Sequence, residues 1–212
     1  MIEKVSAFLF RKKGDRLQIL LVRHPTAGYQ IPAGTVEENE DLQDAVRREI
    51  REECGIKELG LIIELPETHQ FLEGDEAILT KTMRLYSWPA SSARRDGPLC
   101  RRGFLLKTFE KKVGFTRVKY QEFNLKKKPP ALISELESWV MSDDLTREVR
   151  RHFFAFYVRE ETLDQWENHA EPDQVFTLKW VDMDAIPELT EGQNEWLDQL
   201  KGLDSAEIAE LF

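Results

Sequence analysis

Cysteine is nearly missing from this chain. Only Cys54 and Cys100 occur among 212 residues, and they lie far apart. That excludes a disulfide framework and the paired spacing of a structural zinc site. Long apolar runs are missing too, since none approaches the ~18 residues needed to cross a membrane. The opening Met-Ile-Glu-Lys-Val-Ser lacks the basic and apolar regions of a secretory signal. Internal repeats and low-complexity tracts are also absent. These absences make a reducing cytoplasm the expected compartment, with no membrane attachment. The length suits one large domain, or one domain carrying a smaller one. A hydrophobic fraction of 41% is enough for a core.

Net charge is -9, but it is spread unevenly. Residues 91 to 130 hold 12 Lys/Arg and 3 Asp/Glu, so a segment of +9 sits in a body of -18. Such asymmetry is expected of a polyanion-binding patch, and equally of a basic surface facing an acidic neighbour.

The most informative stretch is residues 34 to 56, an acidic helix bounded by glycines. Glu49, Glu52 and Glu53 fall at i, i+3 and i+4, which places them on one helical face. Like charges so close weaken a helix unless something offsets them, and a hard divalent cation does so with carboxylate ligands. A solvated acidic face is the plain alternative. Asn39 is the expected N-cap, with Glu40 and Asp41 in the first turn. Leu42, Ala45, Val46 and Ile50 form an apolar stripe, and the glutamates are expected off it, toward the open side. Gly55 is a natural stop.

The flanking residues sharpen this reading. Gly34, Glu40, Arg48, Glu49, Ile50, Glu52, Glu53, Gly55 and Ile56 fit Gly-x5-Glu-x7-Arg-Glu-U-x-Glu-Glu-x-Gly-U at every specified position, with U a bulky aliphatic residue. The segment resembles an intact Nudix box. That resemblance implies an α/β fold, a Nudix-type α/β/α sandwich around a mixed β-sheet. It covers roughly 1–88 and 148–203, where strand-like segments at 4–11, 17–22, 59–64, 77–87, 151–158 and 174–183 fall. Helices are expected near 191–202 and 205–212. The Nudix domain is thus expected at 1–88 plus 148–212.

Residues 89–147 are an expected β-rich insertion. Gly103–Glu110 and Phe115–Phe123 have strand character. Gly-Phe-Thr-Arg-Val-Lys-Tyr at 114–120 and Trp-Val-x-Ser-x-x-Leu at 139–145 resemble the end of a bacterial SH3-like barrel. An ordinary hairpin extension of the sheet is the alternative. Lys126-Lys127-Lys128-Pro129-Pro130 reads as an exposed loop.

The Nudix resemblance implies hydrolysis of the diphosphate link in a nucleoside diphosphate joined to another group. It implies that Glu49, Glu52 and Glu53 hold Mg²⁺ (or Mn²⁺), which neutralises phosphate charge and acidifies bound water. Arg48 and Glu40 are then supporting groups, able to pair and orient the loop and helix. Gly34 and Gly55 meet backbone needs, a close approach or a positive φ. The general base is a box glutamate (Glu52 or Glu53) or a glutamate from a distant loop. For the latter, the 169–173 loop offers His169, Glu171 and Asp173, with Glu171 preferred and Glu160 and Glu161 as rivals. Arg23 ends a strand toward the box loop and is a candidate for substrate phosphate, as is Gly34. Family markers of particular substrate classes are not found downstream of the box. Two other readings stand beside the enzyme. One is a nucleotide-ligand sensor on the same fold, which usually shows an eroded box. The other is an RNA-associated protein that uses the basic insertion for a nucleic acid or protein partner. Family members are often homodimers, though nothing in these residues demands it.

Overall fold

A computed structural model describes the chain except at residues 25–26, 96–98, 125–126, 128, 172–173, 191 and 203–212. Its N-terminal elements are β1 (Ile2–Lys13), β2 (Arg16–His24), β3 (Gly28–Gln30), β4 (Ala33–Thr35), α1 (Leu42–Cys54) and β5 (Leu59–Phe71). There follow β6 (Glu76–Leu79), β7 (Met83–Arg84), β8 (Leu99–Cys100), β9 (Leu105–Lys112), β10 (Phe115–Asn124), β11 (Ala131–Met141) and β12 (Leu145–Thr146). The chain returns through β13 (Glu148–Val158), β14 (Gln165–Glu171) and β15 (Gln174–Asp182). Two compact units result: residues 4–36, 40–68 and 151–212 in one, and 1–3, 37–39 and 69–150 in the other. The expected insertion, 89–147, falls inside the second. Among the described residues no helix is long and apolar enough to cross a membrane.

The first unit is built on a sheet ordered β14-β15-β2-β1-β13-β5, with β3 against β2 and β4 against β1. Alternation along β1 and β2 sends residues to two faces. Val5, Ala7, Leu9, Leu20 and Val22 pack with Ala45, Val46, Ile50 and Cys54 of α1. Phe8, Phe10, Ile19 and Leu21 pack on the other face with Trp196, Leu197 and Leu200. The expected α/β/α sandwich is therefore only roughly met. α1 covers one face, but the second layer, Gln193–Gly202, is 3-10 rather than α-helical. The helix expected at 205–212 lies outside the described residues.

The second unit carries a five-stranded antiparallel sheet, β11-β10-β9-β6-β12. It has its own core, in which Leu79, Tyr86, Leu106, Val118 and Val140 are buried with Trp139. The strand expected at 77–87 is divided here: only β6 joins this sheet, while β7 pairs with β8. On the outer face of β10, Arg117 pairs with Glu137 (2.9 Å) and Lys119 with Glu137 and Glu135 (2.9 and 3.3 Å). Two of the basic residues read from the sequence, Arg117 and Lys119, are thus offset by the neighbouring strand. Lys127, Pro129 and Pro130 are exposed, while Lys126 and Lys128 lie outside the described residues.

Candidate active site

The acidic helix is capped two residues later than its composition suggests. Asp41, not Asn39, is the N-cap, accepting from Gln43 N at 2.8 Å. Asn39 instead takes a positive φ of 64° in the turn before it, a conformation asparagine tolerates. At the far end Gly55 is left-handed (φ 75°) and its N–H donates to the Arg51 carbonyl. Two remaining carbonyls of the last turn are met by β14. Asn168 Nδ2 donates to Glu52 O (2.7 Å) and Trp166 Nε1 to Cys54 O (3.0 Å). Those caps join α1 to the late hairpin, satisfying groups a helix end leaves open.

Arg48 organises the middle of the site. Its Nε and Nη2 donate to both oxygens of Glu40 at 2.8 Å, and Nη2 also donates to Thr35 O at 3.1 Å. Nη1 donates to Glu49 at 2.8 Å and more loosely to Glu52 at 3.3 Å. One guanidinium thereby ties helix, N-terminal turn and β4 together. The acceptors raise its pKa, Glu40 most of all, against the cost of burial.

The three glutamates are not equally open, as a solvent-facing acidic stripe would be. Glu52 is exposed, whereas Glu49 and Glu53 turn toward β4. The Glu49 carboxylate lies where a Cβ on Gly34 would be, 1.8 Å from its Cδ. Gly34 is required there for lack of a side chain. Glu53 accepts from Ala33 N at 3.1 Å. Burial first, then the charge of Glu49, push the Glu53 carboxyl up to about 8 despite that bond. Burial also raises Glu49, with Arg48 opposing.

Other expected residues are placed less centrally. His169 and Glu171 belong to β14 rather than to a loop, and Glu171 pairs with Gln174 at the hairpin end. Asp173 lies outside the described residues. Glu160 accepts from Lys57 N and Glu58 N (3.0 and 3.1 Å), which gives it a structural task. Arg23 follows Leu21 in strand alternation, so it lies on the sheet face opposite α1, 5.9 Å over the Tyr29 ring. It does not meet the glutamates.

The sequence offered no signal for Arg151, one of four arginines between 147 and 159. Its Nη1 donates to Ser6 Oγ at 2.8 Å, and its guanidinium lies 4.1 Å over Trp196. Burial lowers its pKa to about 10. It has no carboxylate partner among the described residues.

A family model described as NUDIX domain matches residues 2–98. No curated protein matches the chain. Among solved structures, the crystal structure of C. elegans Ap4A hydrolase is 15% identical, covering 100% of this chain and 92% of that one with a TM-score of 0.37.

Proposed function

We propose that this chain is a Mg²⁺-dependent (or Mn²⁺-dependent) hydrolase of the diphosphate link in a nucleoside diphosphate joined to another group. The observation that carries this reading is the loop and helix at 34–56. Every position of the acidic pattern is filled, and the Arg48–Glu40 pair holds Glu49 against Gly34. The NUDIX domain match over 2–98 supports the same reading.

The donors suit a hard cation. Burial, and after it the charge of Glu49, hold the Glu53 carboxyl up at about 8, and a divalent ion would offset both. Among the described residues no three His, Cys, Asp or Glu side chains are gathered as a set that could by itself hold a metal ion. Magnesium needs no such set, since it usually takes one or two carboxylates and completes its shell with water and phosphate. Glu53, with Glu49 and Glu52, would hold it. When bound, it supplies charge neutralisation at phosphorus and a more acidic water.

The remaining work falls to the chain. Arg48 is a positioning residue that sets Glu49 and Glu52 relative to β4. Exposed Glu52, or Glu171 on the late hairpin, is the general base in this reading. Arg23 with the Tyr29 ring, and Arg151, are cations for parts of the substrate remote from the broken bond. We also read residues 89–147 as a β-rich insertion resembling an SH3-like barrel.

A panel of nucleoside diphosphate derivatives with Mg²⁺ or Mn²⁺ tests the activity. The wild type should release nucleoside monophosphate, and Glu53→Gln should lose most of that rate. No metal-dependent turnover on any substrate, or a fully active variant, rejects the reading.

A further inference from the structure

A cavity in the second unit has a lining unlike that of the rest of its surface. Its volume is about 220 Å³, and it is bounded by Thr108, Lys111, Thr116, Ser142, Thr146 and Arg147, with Ala77 and Leu145. No carboxylate lines it. On the outer face of β10, by contrast, Arg117 and Lys119 are neutralised by glutamates of β11. Lys111 and Arg147 have no carboxylate partner among the described residues. Arg147 donates only from Nη2, to Gly74 O at 2.7 Å, and its buried Nε meets no acceptor.

The hydroxyls have protons to spare. Thr116, buried to 1% exposure, shares a 2.8 Å hydrogen bond with Ser142, so one of the two O–H groups remains free to donate. Thr146 Oγ1 accepts from Glu148 N, which leaves its own proton available. Only Thr108 is spent, donating to Asp75 O. Two hydroxyl donors, an ammonium and a guanidinium facing one small space are complementary to a tetrahedral dianion. The space is below the ~300 Å³ typical of sites for whole organic ligands. A groove of about 290 Å³ adjoins it, sharing Thr108, Lys111 and Thr116 and adding the half-exposed ring of Phe109. That groove also carries Asp75 and Glu110, so the anion belongs in the cavity rather than outside it.

We infer that this cavity binds a phosphate group, separate from the acidic helix and independent of its metal. The group comes either as inorganic phosphate or as the terminal phosphate of a nucleotide whose base lies along Phe109.

Calorimetric titration of the full chain in metal-free, low-salt buffer separates these sources, with inorganic phosphate in one arm and a nucleoside monophosphate in the other. Saturable binding is expected, weakened by added salt. Lys111→Ala, at an exposed side chain that leaves the fold intact, should weaken it by about tenfold or more, the worth of one charge-assisted hydrogen bond. Thr146→Val should weaken it as well, with an unchanged melting temperature showing that the fold is kept. Tighter binding of the nucleotide, lost in Phe109→Ala, identifies the nucleotide; equal binding identifies the phosphate group alone. Absence of saturable binding in both arms, or binding unchanged in Lys111→Ala and Thr146→Val, overturns the assignment.

Discussion

Glu53 shows how far a residue's chemistry departs from its letter in the sequence. Its spacing marked it as one of three equivalent acids, but the fold turns it inward to Ala33 N while Glu52 stays in water. That distinction depends on the position of β4, which no local pattern encodes. It has a consequence for the metal-free protein. Burial and the charge of Glu49 raise Glu53 from 4.5 to about 8, so the folded state binds its proton more tightly than the unfolded state does. Stability must then fall as pH rises between those two values, because ionisation is penalised only in the fold. The group's contribution is fully present below about 4.5 and is gone above about 8. Melting temperatures from pH 5 to 8 in chelator should therefore decline more steeply for wild type than for Glu53→Gln. Saturating Mg²⁺ should flatten the wild-type slope, since a bound cation takes the proton's place. Parallel slopes for the two proteins in chelator would reject the inward, proton-holding glutamate.

At the scale of elements, the acidic helix was the most legible part of the chain, because its signals are local. The apolar stripe at 42, 45, 46 and 50, the acidic face and the Gly55 stop are all spaced by one helical period. The N-cap was misplaced by two residues, since Asn39 and Asp41 both suit a cap and only the turn geometry chooses between them. The two side-chain caps from β14 were illegible, as Trp166 and Asn168 come from more than a hundred residues away. So was the approach of α1 to β4, where the Glu49 carboxylate fills the space a side chain on Gly34 would need. Gly34→Ala should expel that carboxylate. The obstructed group is the end of a flexible side chain and Gly34 has an ordinary φ, so the fold should lose only about 1 kcal/mol. Turnover should fall by about a hundredfold, the scale of a misplacement near 1 Å. Denaturant unfolding and steady-state rates on one preparation test both halves. A variant with wild-type turnover would show that Glu49 need not sit against β4 for catalysis.

At the scale of the whole molecule, composition suggested a basic insertion in an acidic body, read either as a polyanion patch or as a basic surface facing an acidic neighbour. The paired strands bring the second of those readings into view at two positions. The second unit extends from 69 to 150, and its third long strand, β11, brings Glu135 and Glu137 beside Lys119. Counting charge over 91–130 stops before those glutamates. Cross-strand pairing was invisible because register depends on the β10–β11 connection and on a shift between Glu122 and Phe123. In exposed pairs each bridge adds little stability, but the acids offset Arg117 and Lys119 and so weaken the local field that would attract RNA. Wild-type protein should accordingly bind single-stranded RNA weakly, with a shallow salt dependence set by few phosphates. The triple variant Glu110→Gln, Glu135→Gln, Glu137→Gln frees Arg117 and Lys119 without altering the backbone ladder. Two further phosphate contacts should then steepen the logarithmic salt slope by about 1.4, at ~0.7 for each phosphate of a single strand. Fluorescence anisotropy with an unstructured RNA oligonucleotide, titrated at several salt concentrations, measures that difference. A wild-type slope already as steep as the variant's would mean that the glutamates do not screen the face. The basic segment would then be the nucleic-acid surface its composition first suggested.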